Sequence, residues 1–227
     1  TAVAASSTAF AAVLASSTAM AAVIASSTAM TAVAASSTAM TAVIASSTAM
    51  AAVAASSTAM AAVIASSTAM TAIFANSTAL TTFKSSTALT VKTIPTMTSN
   101  TAPSGVASAS SIYSISYDAW NAFNNASGYW IASSGVTTNS WVKYDFTVPV
   151  YIHTAELKNA TSEAQCKDFL IECSTDDTNW TTALTGTQAN NTTLQIRDVI
   201  NAGKYRYWRL YCINSYNASY VGIDEMQ

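Results

Sequence analysis

Through the first eighty residues, apolar and hydroxyl-bearing positions recur in a register of ten. Each unit reads Thr or Ala, Ala, Val, a variable apolar residue, Ala, Ser, Ser, Thr, Ala, Met. Met stands at 20, 30, 40, 50, 60 and 70, Phe10 and Leu80 complete that series, and Val3 through Val63 and then Ile73 mark the third position. Ten residues at about 100° each fall roughly 80° short of three helical turns, so the apolar stripe of one continuous helix would wind around its axis. A break in every unit removes the conflict. Ser16 or Ser17 then caps a helix, Thr18 to Ala25 forms about two turns of it, and the next serine pair makes the turn. Asn76, which replaces a serine, is the residue best suited to a left-handed C-terminal position.

In such a helix Met20, Val23 and Ile24 share one core-facing stripe. A two-turn helix does not hold by itself, so units must stack along the chain, across chains, or both. Ala34, Ile44, Ala54 and Ile64 alternate small and large with a period of twenty residues, which supports pairing of units. A β-solenoid competes with this reading, because a ten-residue unit preserves strand parity and Val, Ile, Thr and Ser stack well in ladders. The alanines, three to five in each unit, favour stacked short helices. Either arrangement makes a rod.

After Leu80 the pattern decays: Phe83 and Lys84 replace the Val-apolar pair, and Pro95, Pro103 and Gly105 follow. This divides the chain into a repeat stalk at 1–89, a linker or collar at 90–105, and a second domain at 106–227. There the period becomes two, in Trp141 to Phe146, Tyr151 to Leu157, Phe169 to Cys173 and Tyr205 to Cys212, as in an all-β sandwich. Ser174 to Asn179 reads as a polar turn, and Trp130, Trp141 and Trp208, in block or strand positions, read as core.

Charge sharpens the division. Lys84 is the only charged residue before Lys92, and every acid lies at Asp118 or later. A soluble surface carries about a quarter of its residues charged, so the stalk needs copies of itself or a partner to cover it. The net charge of −2 provides no basic face for nucleic acid or an anionic membrane. The Ser-Ser-Thr interruptions leave no run long enough for a transmembrane helix. Cys166, Cys173 and Cys212 form an odd set that reads as buried free thiols, favouring assembly in a reducing cytoplasm, with a Cys173–Cys212 bridge left open. The start at Thr1, without Met or a signal pattern, reads as a processed product or a fragment.

The segment from Ala119 to Trp130 resembles the first block of the discoidin family, the coagulation-factor C-type or galactose-binding-like modules. Trp141–Phe146, Cys173–Trp180, Tyr205–Leu210 and Ile223–Met226 are similar to four later blocks, in the same order. The resemblance implies an eight-stranded jelly-roll sandwich, a non-enzymatic binding role and often a structural calcium ion. For that ion it points to Asn124, Ser127 and Glu225, with Asn124 standing where the family commonly has Asp.

Glycan sites set an aromatic face against a sugar and ring it with polar groups. The polar loops are 131–140, 159–167 and 214–222, and the last carries Tyr216 and Tyr220 among Asn214 and Asn217. Tyr117 joins these four as a candidate, with Tyr113 and His153 weaker. No second His or triad accompanies His153, and Asp176 and Asp177 read as turn residues, so no catalytic group emerges. Decads leading into a terminal sandwich resemble the shafts and tips of bacteriophage tail or head fibres. That resemblance implies a homotrimeric virion fibre whose tips attach to bacterial surface polysaccharide and which meets other virion proteins. The alternatives are a structural decoration or assembly protein without sugar binding, and a secreted or cell-surface adhesin.

Overall fold

The computed structural model describes residues 2–86, 94–126, 128–199 and 203–227. The chain divides into two compact units: the decads form the first, and residues from Ile94 onward form almost all of the second.

Nine helices occupy the described part of the repeats: α1 (Ala2–Ala5), α2 (Ser7–Ala15), α3 (Ser17–Ala25), α4 (Ser27–Ala34), α5 (Ser37–Ala45), α6 (Ser47–Ala54), α7 (Ser57–Ile64), α8 (Ser67–Phe74) and α9 (Ser77–Lys84). The first serine of each pair is the hinge. Ser16 is extended (φ −110°, ψ 111°); its amide donates to the Val13 carbonyl, ending α2, while its Oγ accepts from the Ala19 amide at 3.2 Å, opening α3. Asn76 does not take a left-handed conformation. It is extended (φ −125°, ψ 110°), and its Oδ1 accepts from the Ala79 amide at 2.9 Å. The corner turns through an extended residue with a side-chain acceptor, a role Asn fills as well as Ser.

Each corner bends the chain by about a right angle, 104° between α2 and α3 and 96° between α4 and α5. Roughly three corners close a circuit, so helices three apart stack: α2 on α5, α4 on α7, α5 on α8 and α6 on α9. The hinge serines join successive circuits. Ser36 Oγ donates to the Ala4 carbonyl at 2.6 Å and Ser66 Oγ to the Ala34 carbonyl at 2.6 Å, and Ser86 makes the same bond to Ala54. This α-helical solenoid replaces the β-solenoid alternative, because alanine-rich segments with a cap every ten residues complete their backbone bonds locally. A period-two alternation threaded through a three-helix circuit also sets α4, with Ala34, against α7, with Ile64.

The methionine series turns inward: Met30, Met40, Met50, Met60 and Met70 are at most 1% exposed, together with Val43, Val53, Val63 and Ile73. Each such side chain contributes about 1.5–3 kcal/mol by leaving water. Stacking along one chain thus covers most of the apolar stripe. Most of the Thr and Ser side chains stay exposed or half-buried, while Ala39, Ala49, Ala59 and Ala69 are buried with the stripe. Val3, in the first circuit, is 50% exposed. No single described helix is long and apolar enough to cross a membrane.

The described residues of the second unit form a sandwich of nine strands: β1 (Val106–Ala109), β2 (Trp130–Ile131), β3 (Ser140–Val150), β4 (Thr154–Asn159), β5 (Asp168–Ser174), β6 (Thr181–Thr187), β7 (Gln195–Asp198), β8 (Tyr205–Cys212) and β9 (Gly222–Met226). They make a five-stranded sheet, β1-β3-β8-β5-β6, and a four-stranded sheet, β2-β9-β4-β7, with antiparallel pairing throughout. Alternation sends Val142, Tyr144, Phe169, Ile171, Trp208 and Leu210 into the core, where Trp130 and Phe123 meet them. The two-residue β2 brings the strand count to one above the eight implied by the resemblance.

Residues 94–105 are not a linker. Ile94 and Met97 lie in the sandwich core, the Met97 amide donates to the Phe123 carbonyl at 2.9 Å, and Tyr144 Oη donates to the Ser104 carbonyl at 2.6 Å. Gly105 has φ +75°, and a Cβ there would fall 2.1 Å from Tyr144 Oη. The prolines and glycine that read as breakers shape a packed segment. Trp141 is not core either: it is half-buried on the outer face of the five-stranded sheet, with Lys143 Nζ 5.2 Å and the Arg209 guanidinium 5.9 Å from its ring. All three cysteines are free and buried. Cys173 is paired in register with Trp208 and Cys212 with Phe169, so the two thiols are not opposite one another.

Candidate functional site

Three loops at one end of the sandwich enclose a cleft of about 280 Å³. The β1–β2 loop brings Tyr113, Tyr117 and Tyr129, with Ile131 of β2; the β4–β5 loop brings Thr161, Ser162, Glu163 and Ala164; the β8–β9 loop brings Tyr220. The rings form a chain. Tyr113 stands edge to face with both Tyr117 and Tyr220 at centroid distances of 5.6 Å, and Tyr117 lies 5.3 Å from Tyr129.

Hydrogen bonds fix each wall. The Tyr113 amide donates to the Ile131 carbonyl at 2.8 Å, and Trp130 Nε1 donates to the Ser111 carbonyl at 2.9 Å. Asp118, which follows the 3₁₀ turn carrying Tyr117, is held by Asn100 Nδ2 at 2.9 Å and accepts from the Ala119 amide at 2.7 Å, opening the next 3₁₀ turn. Thr161 Oγ1 accepts from the Glu163 amide at 3.2 Å. Ser215 Oγ lies 2.8 Å from the Gln165 carbonyl and 2.7 Å from the Tyr220 carbonyl, tying two loops together. Burial, then Tyr117, Asp224 and Glu163, push the Tyr129 phenol above its usual range, so it stays neutral.

The structure brings Tyr117 and Tyr220 into this cleft together with Tyr113, and not the other candidates. Tyr216 donates its hydroxyl to the Gln188 carbonyl at 2.9 Å. The Asn214 side chain is spent on Asp168, accepting from its amide at 3.0 Å and donating to its carboxylate at 2.9 Å. Asn217 Nδ2 donates to the Ser162 carbonyl at 3.0 Å and so braces the wall. His153 Nδ1 pairs with Thr154 Oγ1 at 2.9 Å. Tyr129, Ile131 and Glu163 are not singled out by sequence alone, although the last two fall in polar loops. Tyr129 sat inside a block read for its fold, and Glu163 had only its place in a polar loop to mark it.

The metal candidates lie elsewhere in the sandwich. Asn124 is buried, its Oδ1 accepting from the Ala126 amide at 2.9 Å and its Nδ2 donating to Asn121 Oδ1 at 3.3 Å. Gly128, at φ +134°, lets the chain pass there, since a Cβ would fall 2.9 Å from Asn121 Oδ1. Glu225 is buried and accepts from the Asn125 amide and from Gln227 Nε2, the latter at 2.7 Å; burial pushes its carboxyl up to about 7. Ser127 lies outside the described residues. Among the described residues no three His, Cys, Asp or Glu side chains gather around a metal position. The donors that fit a hard cation are one buried carboxylate beside a turn rich in amide and carbonyl oxygens, the oxygen-only set that Ca²⁺ accepts.

The outer face of the five-stranded sheet is a second concentration of aromatic groups. The Arg209 guanidinium lies 3.9 Å from the Trp180 ring and 5.1 Å from Tyr211, and it is paired with Glu172 at 2.7 Å. Lys143 is paired with Asp177 at 2.6 Å. These cations are neutralised in place, and they cover the aromatic rings.

Among curated proteins, none matches the chain. Among solved structures, the chain is similar to chitosan-binding module 1 derived from a chitosanase/glucanase of Paenibacillus sp. IK-5 (24% identity, 56% of this chain and 96% of that chain, TM-score 0.47). It is also similar to the family 32 carbohydrate-binding module of C. perfringens NanJ, in complex with galactose (14% identity, 54% of this chain and 90% of that chain, TM-score 0.48). A further Clostridium perfringens module, in complex with GalNAc-β-1,3-galactose, has 12% identity over 54% of this chain and 92% of its own, with a TM-score of 0.49. The F5/8 type C domain matches residues 106–226, the nine-strand sandwich with its three-loop cleft, and the chain belongs to that family.

Proposed function

We propose that the sandwich is a glycan-binding module without catalytic activity, that its ligand lies in the tyrosine cleft, and that the helical solenoid carries it as the shaft of a bacteriophage fibre. The observation that supports binding is the convergence of Tyr113, Tyr117, Tyr129 and Tyr220 with Thr161, Ser162 and Glu163 around one 280 Å³ space. Aromatic faces beside a few polar groups suit the apolar side of a pyranose and its hydroxyls. The repeats supply a rod whose outer surface carries one charge, Lys84, so copies can lie side by side without repulsion. A homotrimer would multiply weak single-site affinity for a bacterial surface polysaccharide. A glycan array probed with the whole chain is expected to return a hit that Tyr117→Ala weakens at least tenfold. Light scattering on the same sample is expected to give three chains per particle.

One observation favours a second reading, a decoration protein docked to another virion protein: the sheet face of Trp141, Trp180, Tyr211 and Arg209 has the composition of a protein interface. A blank array together with capture of a virion protein would reverse the order. The Asn124 and Glu225 region is the proposed calcium site, where the ion would contribute a fixed positive charge to the loop ahead of β2 and to β9. Chelation is expected to lower the melting temperature of the wild type and to leave that of Glu225→Gln unmoved.

A further inference from the structure

The cleft's charge identifies a ligand class, on the reading that it binds a glycan. Its lining holds four phenol rings, two aliphatic side chains, two hydroxyls and one carboxylate, Glu163, and no Lys, Arg or His. The Glu163 side chain is exposed at the rim. Lys143, Lys158, Lys167, Arg206 and Arg209 are paired with Asp177, Asp224, Asp168, Asp145 and Glu172, and none of these five cations pairs with Glu163. The charge of Asp224 also reaches Tyr129, although Lys158 at 2.5 Å offsets part of it. An aromatic ring presents the negative side of its quadrupole from its face. A cation entering this space therefore meets electron-rich phenol rings and the Glu163 carboxylate, and an anion meets like charge with no donor of positive charge to hold it.

We propose that the cleft takes a cationic amino sugar, a pyranose with a free protonated amine, its ammonium donating to the Glu163 carboxylate and its ring against Tyr117 and Tyr113, and that it turns away uronic acids. The preference over the neutral N-acetylated sugar is about tenfold, the combined effect of one exposed ion pair and one cation–π contact.

Calorimetric titration of the whole chain tests this with three probes below the pKa of the amine: a glucosamine trisaccharide, its fully N-acetylated form, and a uronic acid trisaccharide. The expected order is amine over acetylated by about tenfold, with no binding of the uronate. In Glu163→Gln the ratio of the first two is expected to fall to about one. Raising the pH until the amine is neutral should collapse the same ratio in the wild type, which tests the idea without any variant. Equal affinity for the amino and acetylated forms, or tighter binding of the uronate, overturns the amino-sugar assignment and leaves glycan binding standing. Absence of binding by all three, together with a blank glycan array, overturns both. A trilysine peptide that binds as tightly as the amino sugar would reassign the cleft to cationic peptides and also overturn the proposal.

Discussion

Asp145 carries the best-defined ionic constraint in the sandwich. Burial alone would raise its carboxyl, but hydrogen bonds from Arg206 Nε and a terminal guanidinium nitrogen, both at 2.8 Å, and from the Thr147 amide at 2.6 Å outweigh it and hold it below the usual range. A carboxyl lowered in the folded state binds its proton less readily than in the unfolded chain. Its stabilisation is therefore complete above the unfolded value near 4 and is lost as pH falls through the folded value. Asp168, lowered by Thr187 and Asn214, acts in the same direction. Urea denaturation between pH 5 and 2 is expected to show stability falling most steeply below about pH 4, and Arg206→Met should flatten that slope.

At the scale of the element, Ser36 and Ser66 each have two tasks on one hydroxyl. Ser36 Oγ accepts from the Ala39 amide at 3.2 Å within its own helix and donates to Ala4, one circuit earlier. Ser37, its neighbour, is exposed. Ser36→Ala is expected to destabilise the repeat unit by about 1–3 kcal/mol, the loss of a cap plus a buried acceptor left without its donor. Ser37→Ala should stay within about 0.5 kcal/mol of wild type. Thermal melts followed by far-UV circular dichroism compare the two, and equal effects would contradict the division of labour within the Ser-Ser pair.

At the scale of the whole molecule, the packed core of the sandwich extends to residues before 106. Ile94 (8% exposed) and Met97 (1%) fill its core, and Ser104 accepts from the buried Tyr144. A fragment of residues 94–227 is expected to exceed one of residues 106–227 in stability by roughly 3–6 kcal/mol, the transfer contribution of two buried side chains. Chemical denaturation of the two fragments measures it. Equal midpoints would return residues 94–105 to the role of a tether.

The sequence by itself determined what depends on near neighbours. A cap recurring every ten residues, alanine between the caps and one apolar stripe define a short helix regardless of what lies beyond it, and period-two runs around Val142, Ile171 and Leu210 define strands in the same way. Five blocks in order make the sandwich recognisable from sequence. Tertiary structure decided how many helices make one circuit, because that follows from the corner angle, to which the position of Ala4 relative to Ser36 is sensitive and the decad pattern is not. It also showed that Asn76 opens a helix, that Pro95 to Gly105 belongs to a core, and that Trp141 faces outward. The cleft was decided there as well: Tyr113 and Tyr220 meet only because β2 pairs with β9, and Glu163 reaches them from a third loop. Local propensity writes itself into spacing, whereas contact between distant segments is set by packing, and the function proposed here rests on contacts of that second kind.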